Sequence, residues 1–333
     1  MPRLEIRPFT ADDIDAAGTL LARRHARHLD RSPLLPAHFT EPAAATAAVH
    51  RACAGQDASG SIATRGGEAV GYLLGAPKST EVWGPNIWVE SAGQATIEAE
   101  TIRDLYAVAA TRWVDEGRTA HYALAPATDP ELIGAWFRLG FGHQHTHAIR
   151  PVPASRTDPP ATSTATATAT ATATTVRRAT RDDIETLARL DLELPRHQAL
   201  APVFSAGPVP TLEECLDDWA TDIDNPEYAA FVAVRDGEVI GSAIGCPLEK
   251  SSSHTGLARP ERAGFLGFAA VFPQARGAGA GRALGEAVLD WTRTAGFSCA
   301  VTDWRATNLL SSRAWPALGF TDSFLRLHRV VGY

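Results

Sequence analysis

The fold is decided by the stretch Val271-Phe-Pro-Gln-Ala-Arg-Gly-Ala-Gly-Ala-Gly-Arg-Ala-Leu284, which joins two patterns of different period. The apolar run from Phe265 to Val271 predicts a strand, and apolar residues at helical spacing from Leu284 onwards predict a helix. The glycines therefore lie at a strand-to-helix turn. There the first helical turn offers unbonded backbone N–H groups and the positive end of the helix dipole. Glycine also lets the backbone approach a ligand closely. The stretch predicts an anion-binding site.

Two common phosphate-binding motifs do not fit this turn. A P-loop ends in Gly-Lys followed by Ser or Thr, and no lysine follows these glycines. A dinucleotide-binding turn has the spacing Gly-x-Gly-x-x-Gly, but Arg282 and Leu284 occupy the last glycine position in the two registers. The pattern that is present is Arg-x-x-Gly-x-Gly, from Arg276 to Gly281.

This pattern, with Val271 and Pro273 before it and Asn308 after it, resembles the pyrophosphate loop of the GCN5-related N-acetyltransferase (GNAT) superfamily. The resemblance covers most of residues 176–333 and extends to Leu318-Gly319-Phe320. It implies acetyl-CoA as cosubstrate and acetyl transfer to an amine. The residues that it assigns to the cofactor site are Ala270, Val271, Arg276, Gly277, Ala278, Gly279, Ala280, Gly281, Arg282 and Asn308.

Length and composition favour a cytoplasmic protein of two domains. The chain has 333 residues, 45% of them apolar, which is ample for two packed cores. A net charge of -7 and a pI near 5.9 argue against a nucleic-acid partner. The four cysteines are scattered without a Cys-x-x-Cys pair, so we expect buried reduced thiols and no metal site. No signal core or membrane-spanning run is present, and we expect a monomer or homodimer without membrane contact.

The sequence contains one pattern twice, which predicts an internal duplication. The repeated segments occur in the same order in each half: Ile6–Ile14 and Val176–Ile184, Gly67–Gly75 and Gly237–Gly245, Ala135–Phe141 and Ala314–Phe320. We therefore predict an α/β protein of two tandem GNAT-like domains, each a mixed central sheet flanked by helices. The predicted divisions are a domain at 1–150, an Ala/Thr/Pro-rich linker at 151–175 and a domain at 176–333.

Local signals give the order of elements in each half. Thr10 and Thr180 are each followed three residues later by an aspartate, which predicts a capping box at a helix start. Glycine-containing turns at 65–67 and 235–237 predict β-hairpins. Each half then reads as strand, helical segment, hairpin, strand, helix, strand, helix, strand.

The anion-binding turn is predicted in the second half only. Counting back from Trp113, which corresponds to Trp291, the equivalent place is held by Glu98-Ala-Glu-Thr-Ile-Arg103, without glycine. Two glutamates there would repel phosphates, whereas at a helix start they stabilise the helix dipole. We interpret residues 1–150 as a degenerate copy with a structural role. We expect this copy to pack on the second copy and to form one side of its substrate cleft.

The candidates for proton transfer are few. In the resembled family a tyrosine that protonates the leaving thiolate often precedes the Gly-Phe pair by four residues, but here Trp315 holds that position, followed by Pro316. Asp303, at the end of the strand Ala300–Thr302, is a candidate general base, and capping of a loop is the competing interpretation. His254 is interpreted as a solvated loop residue.

The role of one acidic segment and the choice between two functions remain open. The acidic stretch Leu212–Asp224 suits a cationic acceptor, but a solvated helix face with Leu212, Cys215, Leu216 and Trp219 turned inward is the favoured interpretation. The predicted function is acetyl transfer from acetyl-CoA to an amine of a small molecule or peptide. The alternative is a non-catalytic acyl-CoA-binding or regulatory module.

Overall fold

A computed structural model describes residues 2–154, 174–205, 207 and 209–332. The Ala/Thr tract of the predicted linker lies outside these described residues. In the first half the elements are β1 (Leu4–Pro8), α1 (Ile14–Leu29), α2 (Pro42–Cys53), β2 (Ser59–Arg65), β3 (Glu68–Gly75), α3 (Thr80–Trp83), β4 (Asn86–Val89), β5 (Gln94–Thr96), α4 (Thr101–Asp115), β6 (Ala120–Pro126), α5 (Pro130–Arg138) and β7 (Gly142–Pro151).

The second half repeats this order with small changes. Its elements are β8 (Thr175–Arg178), α6 (Ile184–Asp191), α7 (Glu193–Ala199), α8 (Leu212–Asp222), β9 (Ala229–Arg235), β10 (Glu238–Pro247), β11 (Ala263–Val271), α9 (Ala280–Thr294), β12 (Cys299–Arg305), α10 (Leu309–Ala317) and β13 (Thr321–Val330). Among the described residues, no helix combines the length and the apolar character that crossing a lipid bilayer requires.

The local signals of the duplication are confirmed in both halves. The Asp13 carboxylate accepts the Thr10 N–H at 2.9 Å, and the Asp183 carboxylate accepts that of Thr180 at 2.8 Å. Each capping box begins a short 3-10 turn that continues into α1 or α6. The hairpin turn between β9 and β10 has positive φ at both central residues, Asp236 and Gly237, as a type I′ turn requires.

The chain forms two compact units. The first comprises the residues up to His147, the segment Thr255–Glu261 and the residues from Asp322 onwards. The second comprises Ala148–His254 and Arg262–Thr321. Most of β13 therefore belongs to the first unit, where Phe324–Val330 pair antiparallel with β6.

Each unit has a mixed sheet flanked by helices, as predicted. In the first unit, β1, β2, β3 and β5 form an antiparallel sheet in that order, and β6 pairs parallel with β4. In the second, β12, β11, β10, β9 and β8 are neighbours in that order. Strand β11 pairs parallel with β12 and antiparallel with β10, and the β10–β9 and β9–β8 pairs are antiparallel. Helix α9 packs Leu284 and Val288 into one core cluster of this unit, whereas α6 and α8 contribute to another.

One strand predicted in the first half is broken. The counterpart of β11 is divided into β4, which pairs with β6, and β5, which pairs with β3. A tight turn lies between them, in which the Gly93 N–H donates to Glu90 O at 2.8 Å. The prediction of one continuous strand there is wrong because the two pieces pair with different strands.

The inward face predicted for α8 needs one correction. Cys215 and Trp219 are buried as expected, but Leu212 is 38% exposed because it is the first residue of the helix. Of the four cysteines, Cys53 is half-buried and the other three are buried.

Candidate active site

The turn between β11 and α9 has the backbone geometry that its glycines predict. Gly277 and Gly279 have φ of +83° and +85°, a region that disfavours other residues. Helix α9 begins directly after Gly279, so the N–H groups of Ala280, Gly281 and Arg282 have no intrahelical acceptor. A Cβ atom at Gly277 or Gly279 would meet no protein atom within 4 Å, so both residues border open space. This part of the turn is a backbone cradle that an anion fits.

The cradle borders a cavity of about 310 Å³ that also contacts α7, β11 and α10. Nine of the ten predicted cofactor residues line it: Ala270, Val271, Arg276, Gly277, Gly279, Ala280, Gly281, Arg282 and Asn308. Ala278 is part of the same turn but is not among the lining residues. The structure therefore brings together residues that lie up to 38 positions apart in the sequence, from Ala270 to Asn308.

Strand β11 separates from β12 beside this cavity. Their parallel pairing ends at Leu266 and Thr302, whereas the antiparallel pairing of β11 with β10 continues to Val271. The Thr302 hydroxyl donates to Leu266 O at 3.0 Å and so fastens the two strands where they diverge. The predicted splay over Phe268–Val271 is confirmed, and it leaves one backbone edge of β11 open to an extended ligand.

Asn308 caps α10 and lines the cavity as well. Its Oδ1 accepts the N–H groups of Leu310 at 3.1 Å and Ser311 at 3.3 Å, which is the capping arrangement. His197 Nε2 lies 3.3 Å from the same oxygen. These contacts orient the side-chain amide, whose Nδ2 can only donate.

Sequence reasoning missed the contribution of α7, from which Glu193, Leu194 and His197 line the cavity. The Arg276 side chain donates from Nε to Val271 O at 3.1 Å, and its Nη2 lies 4.0 Å from the Glu193 carboxylate. The Arg276 side chain therefore links the turn to β11 through Val271 and to α7 through Glu193. Helix α7 carries no motif of the glycine turn, and no role was predicted for it from the sequence.

Trp315 is buried and lines the cavity. A Cβ atom at Gly285 of α9 would lie 3.4 Å from its ring and would collide with Leu318, so α9 and α10 pack closely here. Helix α10 continues through Pro316 to Ala317. The geometry at this position therefore shows packing between α9 and α10.

The expectation of a solvated His254 is wrong. The residue is fully buried, its ring packs against Phe265, and the Ser251 hydroxyl lies 2.9 Å from its Nδ1. The Asp303 carboxylate lies 3.7 Å from the same nitrogen. A Ser-rich loop gives no sequence signal for such burial, because burial depends on the packing of β11 against the loop.

Asp303 lies on β12, directly after the last residue that pairs with β11. Its side chain is 20% exposed, so it is reachable from solvent, and its Oδ2 lies 3.7 Å from Nδ1 of the buried His254. Asp303 is not among the residues that line the cavity of the cradle. It lies instead where the two strands begin to diverge.

The corresponding position in the first unit has the ion pairs of an ordinary helix start. Glu98 pairs with Arg65 at 2.9 Å, and Glu100, which precedes α4, pairs with Arg103 at 3.0 Å and with Arg138. These arginines lower the pKa of both glutamates, which stay ionised. In the first unit, two ion-paired glutamates therefore occupy the segment that corresponds to the glycine turn of the second unit.

Comparison with known proteins agrees with this fold. A family model described as "Acetyltransferase (GNAT) family" matches residues 193–320. An aminoglycoside N(6')-acetyltransferase type 1 from Stenotrophomonas maltophilia is 30% identical over 150 residues, which cover 45% of this chain and 87% of the relative. The solved structure of a GCN5-related N-acetyltransferase from Sphaerobacter thermophilus matches with a TM-score of 0.55 and 16% identity, covering 99% of this chain and 97% of that one.

The structural match extends over both halves of the chain, whereas the family model matches residues 193–320. The protein belongs to the GNAT family, and its architecture is a tandem of two GNAT-like domains.

Proposed function

We propose that the second unit binds acetyl-CoA in the cavity of the cradle and transfers its acetyl group to an amine. The observation that carries the proposal is the convergence of the glycine turn, the open edge of β11 and the Asn308 amide on one cavity. A pyrophosphate fits the N–H groups of Gly277–Arg282, where fixed dipoles replace water. The elongated arm of the ligand fits the open backbone edge of β11.

Acetyl-CoA supplies an acetyl group activated as a thioester. The chain has to position the thioester and to remove a proton from the acceptor ammonium, so that the neutral amine can attack the carbonyl carbon. The C–N bond forms and the C–S bond breaks, the nitrogen loses a second proton as the amide forms, and CoA leaves as a thiolate that takes up a proton. Backbone N–H groups of β11 beyond Leu266 are placed to polarise the carbonyl at the point of divergence. Asp303 lies beside that point, and we assign it as the proton acceptor, with His254 as a positioning residue behind it.

The acceptor is proposed to be an amine of a small molecule or peptide. The relative from Stenotrophomonas maltophilia is named for acetylation of an aminoglycoside, which favours a small polar amine. The acidic outer face of α8 is compatible with a cation, although its carboxylates are exposed as on an ordinary solvated helix.

The test is release of free CoA thiol from acetyl-CoA across a panel of aminoglycosides, amino acids, polyamines and peptides. Asp303→Asn is expected to lower kcat by about a hundredfold or more with unchanged acetyl-CoA affinity, as for loss of a general base. Asp236→Asn in the exposed β9–β10 turn is the matched control and should keep full turnover. Full turnover in a folded Asp303→Asn variant would refute the assignment of the base.

A second candidate function is binding of an acyl-CoA without turnover. Trp315 favours it, because it is buried at the position where the family often has an acidic tyrosine. Tight acetyl-CoA binding without thiol release for any amine of the panel would select this candidate.

A further inference from the structure

The first unit has a cavity of its own, of about 520 Å³, which the proposed function does not use. This volume lies within the range of small-molecule sites. The cavity is lined by Arg24, Arg27, His28, Asp30, Arg31, Thr96, Ile97, Ala99, Pro126, Thr128, Asp129, Pro130 and Glu131.

Its position is the counterpart of the acetyl-CoA cavity in the duplicated fold. Asp129 caps α5 by accepting the Leu132 N–H at 3.0 Å, as Asn308 caps α10. Gly71 of β3 pairs with Thr96 of β5, in the way that Gly241 pairs with Val271. The anion cradle is missing from this copy, however, because Glu98–Arg103 replaces the glycine turn. The cavity therefore calls for a ligand of different chemistry.

The floor of the cavity contains a buried cation. Arg24 is 2% exposed, and its guanidinium donates to the carbonyl oxygens of Gln94 and of Ser91, the latter at 2.6 Å. No acceptor among the described residues bonds its Nε. Burial lowers the pKa of Arg24 to about 10, so the group stays charged at neutral pH. Its two bonded partners are uncharged, and a buried cation without a bonded anion is costly.

The charges around Arg24 favour a ligand with a single negative charge over a polyanion, because three carboxylates line the cavity beside three arginines. Arg27 lies on α1 three residues after Arg24 and is exposed, and forked guanidinium groups suit a carboxylate. Arg31 follows the helix, is exposed as well, and donates to Thr128 O at 2.8 Å. Asp129 lies close enough to raise the pKa of Arg24, and Asp30 and Glu131 add further negative charge to the lining. These three carboxylates would repel a polyanion. Burial lowers the pKa of His28 to about 3, so its ring is neutral and adds no positive charge.

We propose that this cavity binds a small monocarboxylic acid, with its carboxylate towards Arg24 and Arg27. The apolar part of the acid would contact Ile97, Ala99 and Pro126, which line the same cavity. The site is a binding site in the first unit, separate from acetyl transfer. The competing explanation is that Arg24 only fastens the turn between β4 and β5 through its carbonyl contacts.

The experiment uses the full chain and four acids of increasing size: acetate, butyrate, benzoate and 3-phenylpropionate. Ligand-observed NMR and calorimetry measure binding, with benzamide and benzylamine as neutral and cationic probes of the same shape as benzoate. At least one acid is expected to bind, about tenfold or more tighter than its amide and amine analogues, since a bond to a charged group is lost in the analogues. The absence of binding by all four acids at millimolar concentration would overturn the proposal.

Variants locate the binding. Arg27→Glu at the exposed rim should weaken binding of the acid at least about tenfold. Arg23→Glu, on the same helix but outside the cavity lining, is the matched control and should bind as the unaltered chain does. Equal binding by Arg27→Glu and Arg23→Glu, or displacement of the acid by CoA, would contradict the site. Because acid binding does not depend on turnover, this result stands apart from the test of acetyl transfer.

Discussion

The sharpest test of the cradle is Gly281→Glu in the first turn of α9. Gly281 has helical backbone geometry, and a Cβ atom there would meet only Val271 Cγ2, at 3.9 Å. The substitution therefore introduces no steric strain. Replacing a helical glycine gains about 0.5–1 kcal/mol in propensity, and a glutamate near a helix N-terminus adds a few tenths more. We expect an equal or higher Tm.

Binding of acetyl-CoA should change in the opposite direction. A carboxylate about 5 Å from a phosphate charge repels it by about 3 kcal/mol at an effective dielectric constant near 20. Screening by salt and movement of the side chain reduce this figure, so we expect a loss of at least ~1.4 kcal/mol, or tenfold in Kd. Calorimetry gives the Kd and the number of sites, and one site per chain is expected.

Two variants at the same position separate charge from size. Gly281→Gln has nearly the shape of glutamate without the charge, and Gly281→Ala adds only the Cβ atom. The expected order of affinity is Ala, then Gln, then Glu as the weakest. If Gly281→Glu remains folded and binds acetyl-CoA as tightly as the unaltered chain, the turn does not hold the pyrophosphate and the reasoning fails.

Two further predictions concern the second unit. Burial raises the pKa of Asp191 to about 6 while Trp219 Nε1 donates to it at 2.6 Å. The folded state therefore loses stability as the pH rises from about 4, where the unfolded side chain ionises, to about 6, and the loss is complete above that. Asp191→Asn should stabilise at pH 7.5 by about 1–2 kcal/mol, and this advantage should fade towards pH 4 in denaturant titrations. An equal advantage at both pH values would contradict this. Trp315→Phe should keep kcat within about threefold, less than ~1 kcal/mol, while lowering Tm through a packing defect; a collapse of kcat with intact acetyl-CoA binding would reveal a catalytic role for the indole.

The parts of the fold that could be predicted are those set by short-range chemistry. The capping boxes at Thr10 and Thr180 and the hairpin turn at Asp236–Gly237 involve residues within a few positions of each other. The anion cradle also belongs here, because a strand, a glycine turn and a helix are consecutive. Nine predicted residues accordingly line one cavity.

The features that sequence reasoning missed depend on contacts between distant segments. His254 is buried because Phe265 and Asp303 surround it, and neither lies within ten residues of it. The break between β4 and β5 follows from pairing with different strands. No local pattern distinguishes a serine-rich loop that is buried from one that is solvated, since the polar side chains are the same in both.

The two cavities differ at a few corresponding positions of the duplicated fold. At the equivalent helix cap the second unit has the Asn308 amide and the first unit has the Asp129 carboxylate, and both make the same capping bond. Capping of the helix therefore does not explain why one unit has asparagine and the other has aspartate at this position. The difference matters for what enters the cavity, because an amide can donate to a phosphate-bearing arm, whereas a carboxylate repels it. Together with glycine against glutamate at the neighbouring turn, this position disfavours a polyphosphate in the first unit, where Arg24 and Arg27 can still attract a single carboxylate. An Asn308→Asp variant should thus weaken acetyl-CoA binding while α10 keeps its cap, which is the signature of a position tuned for ligand charge.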